Sequence, residues 1–139
     1  MPKGFFLEYK KKPSAQALNR LLSACKVETY PPNRLALALE NSNFCLSILE
    51  EVTGALAGFV RVTSDKGLNA NLWNLAAQPG KNQGELLVVL VHHALSIIRR
   101  DMPGCSISIS APSIAIKSLE EQGFLIDPGG IRAMGFRLS

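Results

Sequence analysis

The chain has 139 residues, 47% of them hydrophobic and 19% charged, with a formal net charge of +4. That length accommodates one domain with a real core, and that balance excludes a disordered or charge-dominated chain. No apolar run approaches the ~20 residues of a membrane-spanning helix; the longest, Leu86–Val91, stops at His92-His93. The opening Met1-Pro2-Lys3-Gly4-Phe5-Phe6 has neither a secretory apolar core nor transit-peptide character, so a cytoplasmic protein without membrane contact is expected. Lys10-Lys11-Lys12 is the only basic run. Without interleaved aromatics it reads as a solvated loop, and nucleic acid is not expected as a partner. Cys25, Cys45 and Cys105 are odd in number and set in apolar surroundings. They read as small buried hydrophobes, with no metal expected.

In chain order, Phe5–Tyr9 predicts a short strand. Ser14 is placed to cap a helix whose apolar face is Leu18, Leu21, Leu22 and Cys25. After Pro31-Pro32, a second helix is expected over Asn33–Glu40. Phe44–Leu49 and Ala55–Val62 read as an antiparallel hairpin, with Gly58 marking a bulge or a close backbone approach. Leu72–Ala77 is strand-like and ends at Gln78-Pro79-Gly80. From Gln83 to Arg100 the spacing of Leu86, Leu87, Leu90, Ala94, Ile97 and Ile98 predicts a long amphipathic helix, with Arg99-Arg100 suited to the negative end of its dipole. Ser106–Ser110 alternates as a half-buried strand should. A short helix capped by Ser113 and ending at Gly123 follows, then a turn at Asp127–Gly130 and a final strand over Ile131–Leu138. Strands in hairpins followed by a strand–helix–strand unit imply an α/β domain spanning residues 1–139. Its sheet is mixed, with helices on both faces.

His92 and His93 are adjacent, so on a helix they point about 100° apart and cannot share one metal. His93 is expected to be partly buried beside Leu86, Leu90 and Ile97, and His92 to face solvent. Trp73 reads as core. Arg61, Asp65, Asn74, Ser110 and Glu121 are the polar residues placed near the expected cleft. No catalytic residue is assigned among them.

A strand feeding a glycine-containing turn at a helix N-terminus can hold phosphate, because the first helical N–H groups have no internal partner. Several stretches share a pattern: Arg61-Val62-Thr63-Ser64-Asp65, Asn69-Ala70-Asn71-Leu72-Trp73, Arg99-Arg100-Asp101, and Gly123-Phe124 with Asp127-Pro128, Gly130-Ile131 and Met134. Together they resemble plastid and cyanobacterial members of the GNAT superfamily of N-acetyltransferases, over roughly Leu35 to Leu138. The resemblance implies a single GNAT-like domain whose fourth strand splays from a parallel fifth. It also implies acetyl-CoA as co-substrate, with pantetheine paired to backbone groups of Leu75, Ala76 and Ala77. The pyrophosphate would sit on Lys81, Asn82, Gln83, Gly84, Glu85 and Leu86, with no metal.

Three positions depart from the superfamily pattern. Glu85 and Leu87 stand where its loop has glycine, so weak acetyl-CoA binding is expected, and Glu85 also reads as an ordinary first-turn carboxylate. Leu119 replaces a tyrosine that protonates the leaving thiolate, and Asn74 replaces an acidic residue. An amide cannot act as a general base near neutral pH. The resemblance implies direct acetyl transfer to a primary amine, on a small molecule or a protein. The alternative is a GNAT fold that has lost catalysis and serves as a binding or regulatory module. Neither the acceptor nor the oligomeric state is legible in the residues.

Overall fold

Alternating apolar residues in three successive segments build the centre of the molecule. The computed structural model describes residues 1–138. Its strands are Phe5–Glu8 (β1), Phe44–Glu50 (β2), Leu56–Ser64 (β3), Asn69–Ala77 (β4) and Ser106–Ile109 (β5). They lie side by side in sequence order; β1 to β4 pair antiparallel, and β5 runs parallel to β4. Phe44, Leu46, Ile48, Val60, Val62, Ala70 and Leu72 share one face of this sheet and its principal core. The helix Gln83–Asp101 (α3) brings Leu86, Leu87, Leu90, Val91, Ala94 and Ile98 to the same core. Cys45, Phe59 and Ala76 occupy the opposite face. Ala15–Ala24 (α1) covers them with Leu18, Leu21 and Leu22, and Pro32–Asn41 (α2) with Leu35 and Leu39. Each fully buried leucine contributes roughly 1.5–3 kcal/mol, so these two layers dominate stability. The mixed sheet with helices on both faces is the architecture expected from the residues.

Local chemistry sets the element ends. Ser14 Oγ accepts the Ala17 N–H at 3.1 Å and caps α1. The short helix Ile116–Glu121 (α4) closes with Gly123 at φ +102°. There the Phe124 N–H donates to the Leu119 carbonyl at 3.0 Å, and the Gly123 N–H to Glu120 at 3.1 Å, a left-handed stop. Asp65 Oδ1 accepts the N–H groups of Gly67, Leu68 and Asn69 at 2.9, 2.8 and 3.0 Å. It therefore builds the β3–β4 turn, and those bonds hold its carboxyl below the usual range.

Four expectations are corrected. Residues 131–138 form no strand: Met134 and Phe136 are 94% and 91% exposed, and ion pairs from Arg132 to Asp127 and from Arg137 to Glu28 hold the segment. Apolar content alone supplies no neighbour for backbone N–H and C=O groups, and a strand needs one. Ser113 does not cap: it lies inside a single turn, Ser113–Ala115, that precedes α4 and whose cap position is Pro112. Lys12 is not merely solvated. Its Nζ donates to the carbonyls of Leu39, Glu40 and Ser42 at 2.8, 3.2 and 2.9 Å, closing the C-terminus of α2, where no basic residue of the helix itself does so. His93 is exposed like His92, their rings meeting edge to face at 5.5 Å, because the buried stripe of α3 runs through Val91 and Ala94 instead. Partial desolvation by its neighbours and the charge of His92 both lower the His93 pKa.

Gly58 meets both expectations at once. It sits at a register shift between β2 and β3, and a Cβ there would lie 3.1 Å from Leu90 Cδ1 and 3.3 Å from Ile48 Cβ. Gly58→Ala should therefore cost about 1 kcal/mol, and Gly58→Val more, by pushing α3 off the sheet. Urea denaturation checks this, and an unchanged midpoint for Gly58→Val would contradict the close approach.

Candidate functional site

The site begins with a defect in β4. Phe59 faces Ala76 and Arg61 faces Trp73, so the two residues Asn74 and Leu75 stand opposite the single Val60. Asn74 takes up the extra length with a left-handed backbone, φ +57°. Asparagine tolerates that conformation better than almost any residue except glycine, and a bulge of this kind bends the strand and increases its twist. Pairing with β5 reaches only Leu72↔Ile109, and beyond it the two parallel strands part.

Backbone alternation then decides what faces the gap. The Gln78 N–H donates to Ala57 O at 2.8 Å, across to β3. By the period of two, Ala76 also faces β3, while the N–H and C=O groups of Leu75 and Ala77 turn towards the gap. Of the three residues carried over from the resemblance, Leu75 and Ala77 thus present backbone to the cleft and Ala76 does not. The Ala77 carbonyl is already occupied, accepting Gln83 Nε2–H at 3.0 Å and Cys25 Sγ–H at 3.2 Å. Leu75 keeps its groups free of a strand partner.

The cleft is about 640 Å³, and its walls include Cys25, Leu75, Ala77, Gln83, Leu87 and Pro112. At its mouth α3 starts with Asn82 in the cap position, whose side chain makes no capping bond. The Gln83 N–H donates to Gly80 O at 3.2 Å and the Leu86 N–H to Asn82 O at 3.0 Å. Within the first turn of the helix, Gln83 to Leu86, the N–H groups of Gly84 and Glu85 are the ones left over. A Cβ on Gly84 would meet nothing within 4 Å, so the approach to these groups is open. Lys81 is exposed beside them, and the Glu85 carboxylate is exposed in the first turn. Leu86 and Leu87, 0% and 3% exposed, belong to the core, with Leu87 at the edge where the core meets the cleft. Gln83 as a brace between helix and strand, and Cys25 as a cleft wall, had no signal in the sequence, since both bonds join residues on different elements. Burial holds the Cys25 thiol above its ordinary pKa, so it is protonated at neutral pH. Cys105 is likewise half-buried, and Cys45 is fully buried as expected.

A polar cluster occupies the sheet face away from α3. Arg61 Nε–H donates to Asn74 Oδ1 at 2.7 Å, and Asn74 Nδ2 lies 3.4 Å from the Tyr30 hydroxyl. The Arg61 guanidinium stands 5.8 Å from the Trp73 ring centre, and Trp73 Nε1–H donates to Thr63 Oγ1 at 2.8 Å. Trp73 is therefore half-buried rather than core. The structure brings Arg61 and Asn74 together and leaves Asp65 in its turn, with Ser110 exposed past β5 and Glu121 exposed at the end of α4. Leu119 is 2% exposed in the principal core and does not line the cleft. A groove of about 680 Å³ between the start of α1 and the length of α2 is walled by residues of both helices and by Lys12, Pro13 and Ser14, and no strand residue lines it. Among the described residues no trio of His, Cys, Asp or Glu is placed to hold a metal, and no helix is long and apolar enough to cross a membrane.

No protein-family model matches the chain. It is 26% identical over 134 residues to the uncharacterized N-acetyltransferase ycf52 of Pyropia yezoensis, covering 95% of this chain and 76% of that protein. Against the protein of the same name from Porphyra purpurea it is 31% identical over 106 residues, covering 75% of this chain and 60% of that one. The chain thus spans three-fifths to three-quarters of the length of these relatives. Among solved structures, a Staphylococcus aureus protein of unknown function described as a probable acetyltransferase superposes with a TM-score of 0.86 at 16% identity, covering 96% of this chain and 99% of that one. Arabidopsis thaliana Naa50, solved with the bisubstrate analogue CoA-Ac-MVNAL, superposes with a TM-score of 0.68 at 16% identity, over 88% of this chain and 84% of that one.

The left-handed turn at Asn74 makes a direct test of the bulge. Asn74→Gly should be nearly neutral in stability, because glycine adopts φ > 0 freely, while Asn74→Val should cost about 2 kcal/mol. Thermal denaturation of both variants checks the difference. Equal losses would mean that the side-chain bonds to Arg61 and Tyr30, not the backbone, hold residue 74 in place.

Proposed function

Because the chain belongs to the GNAT superfamily, we propose that it transfers an acetyl group from acetyl-CoA to a primary amine by direct attack. One observation carries the reading: an unpartnered stretch of β4 backbone and an open helix N-terminus face the same cleft. The N–H groups of Gly84 and Glu85 would take the pyrophosphate, with Lys81 beside them and Asn82 and Gln83 shaping the turn. The Leu75 N–H would hold the thioester carbonyl oxygen and stabilise its charge as the amine adds. The nitrogen lone pair forms the C–N bond, the C–S bond breaks, and CoA leaves as thiolate. The amine nitrogen gives up one proton to solvent, and solvent protonates the thiolate. The acetyltransferase names of the relatives and the CoA analogue bound to the similar Arabidopsis protein support acetyl-CoA as the donor. The acceptor amine belongs to a small molecule or a protein.

A second reading is favoured by the make-up of the cleft wall. Among its lining residues there is no carboxylate, imidazole or phenol to move a proton. A fold that binds CoA without turnover, as a binding or regulatory module, has the same backbone geometry. Transfer without an enzyme acid should show a rate that climbs with pH until the acceptor's own pKa is passed, without a falling limb in the neutral range. Cys25, its thiol held above the usual range, would stay protonated throughout that window.

Calorimetric titration with acetyl-CoA and CoA tests the binding, and mass spectrometry across a panel of amines tests the transfer. Weak binding is expected, with Glu85→Gln tightening it about two- to fivefold by removing a carboxylate from the anion's end of the helix. Gly84→Val, which fills the open approach, should weaken it. Unchanged affinity in a folded Gly84→Val protein would remove the phosphates from this helix end. CoA binding without turnover of any amine would leave the binding module as the function.

A further inference from the structure

Arg61 lacks the partner a half-buried guanidinium ordinarily has. Arg100, Arg132 and Arg137 each pair with a carboxylate, and Arg61 is in no ion pair among the described residues. The titratable side chains nearest it, Cys45 and Tyr30, are a thiol and a phenol, neither of them a carboxylate. Its one side-chain hydrogen bond, Nε–H to Asn74 Oδ1 at 2.7 Å, goes to a neutral amide. That bond fixes the plane of the group without cancelling its charge, and it leaves the Nη edge as an uncommitted fork of N–H donors. Burial lowers its pKa with no carboxylate to offset the cost.

Place narrows the ligand. Arg61 points to the sheet face opposite α3, so an anion on it is not the phosphate expected at the N-terminus of α3. Asn74, which holds the guanidinium, directly precedes Leu75, whose backbone faces the cleft. A molecule whose amine reaches the thioester therefore has its nearby substituents beside Arg61, Trp73 and Tyr30. We propose that the acceptor is a primary amine that also carries a carboxylate, clamped by the Nη fork of Arg61. Its identity as an acceptor rests on the acetyl-transfer reading above; the carboxylate site stands on the geometry of Arg61 alone.

The test compares γ-aminobutyrate and β-alanine with their amides, and peptides with glutamate at the second residue with their glutamine counterparts. Acetylation rates and the side-chain Nε–H resonance of Arg61 are both followed. The carboxylate form should have a KM about tenfold or more below its amide, the effect of one charge-assisted pair, and should alone shift the Arg61 resonance. Preference confined to the small amines makes the ligand a free amino acid, and preference confined to the peptides makes it an acidic N-terminus. Arg61→Gln should abolish the preference. Asn74→Asp should do the same with the backbone conformation preserved, since aspartate also tolerates the left-handed region and its charge would neutralise Arg61. A resonance shift without acetylation of any acceptor would end the acetyl-transfer reading and leave the carboxylate site standing. Equal use and equal binding of acids and amides would overturn the proposal, as would a preference that survives both substitutions.

Discussion

The structure turns on one residue of backbone, the left-handed Asn74 in β4. Without the extra residue there, β4 would continue flat against β5 and hydrogen bonds would close the gap between them. With it, pairing stops after Leu72 and the groups of Leu75 and Ala77 are left facing a cleft. A sheet ordinarily satisfies its backbone internally. Here Gln83 and Cys25 satisfy Ala77, while Leu75 keeps its groups for something else. The same residue also holds Arg61 through its side chain, so the bulge joins the two faces of the sheet at one point.

The rest of the fold keeps that point rigid. α3 packs against β2, β3 and β4 on one face, close enough at Gly58 to crowd a methyl group there. α1 and α2 cover part of the other face, and Lys12 ties the end of α2 to the chain preceding α1. Their coverage stops short of Arg61, Thr63 and Trp73, which are half-buried in place of a third packed layer. The two faces therefore differ in chemistry: the α3 side offers unpaired N–H groups suited to an anion, and the α1–α2 side offers a cation fixed by neutral groups.

Much of this was legible from residue patterns. The long helix, the hairpin, the parallel strand and the Gly123 stop each rest on short-range rules of periodicity and capping. Those rules worked because periodicity and caps are set by residues within a few positions of each other, even where, as for β5, the pairing strand lies 37 positions away. The expected strand over Ile131–Leu138 failed for the converse reason, since a pairing neighbour was not specified by the segment itself. His93 failed by a rotation of the helix, a matter of which stripe the sheet selects. Leu119 was read as a loss from a site, and tertiary packing puts it in the core away from the cleft, whereas Leu87 belongs to the core and walls the cleft as well.

The sequence by itself determined the order and type of the elements from β1 to α4, the glycine-containing turn before α3, and the absence of charge from the interior. These follow from local conformational preference and from the cost of burying polar groups. Tertiary structure alone decided that Asn74 is a bulge, that the N–H groups free at the start of α3 are those of Gly84 and Glu85, and that Gln83 and Cys25 meet on the Ala77 carbonyl. It alone set an unpaired Arg61 beside Trp73 and Tyr30. A bulge exists only relative to the strand opposite, and a partner 13 or 52 positions away leaves no periodic trace in the chain.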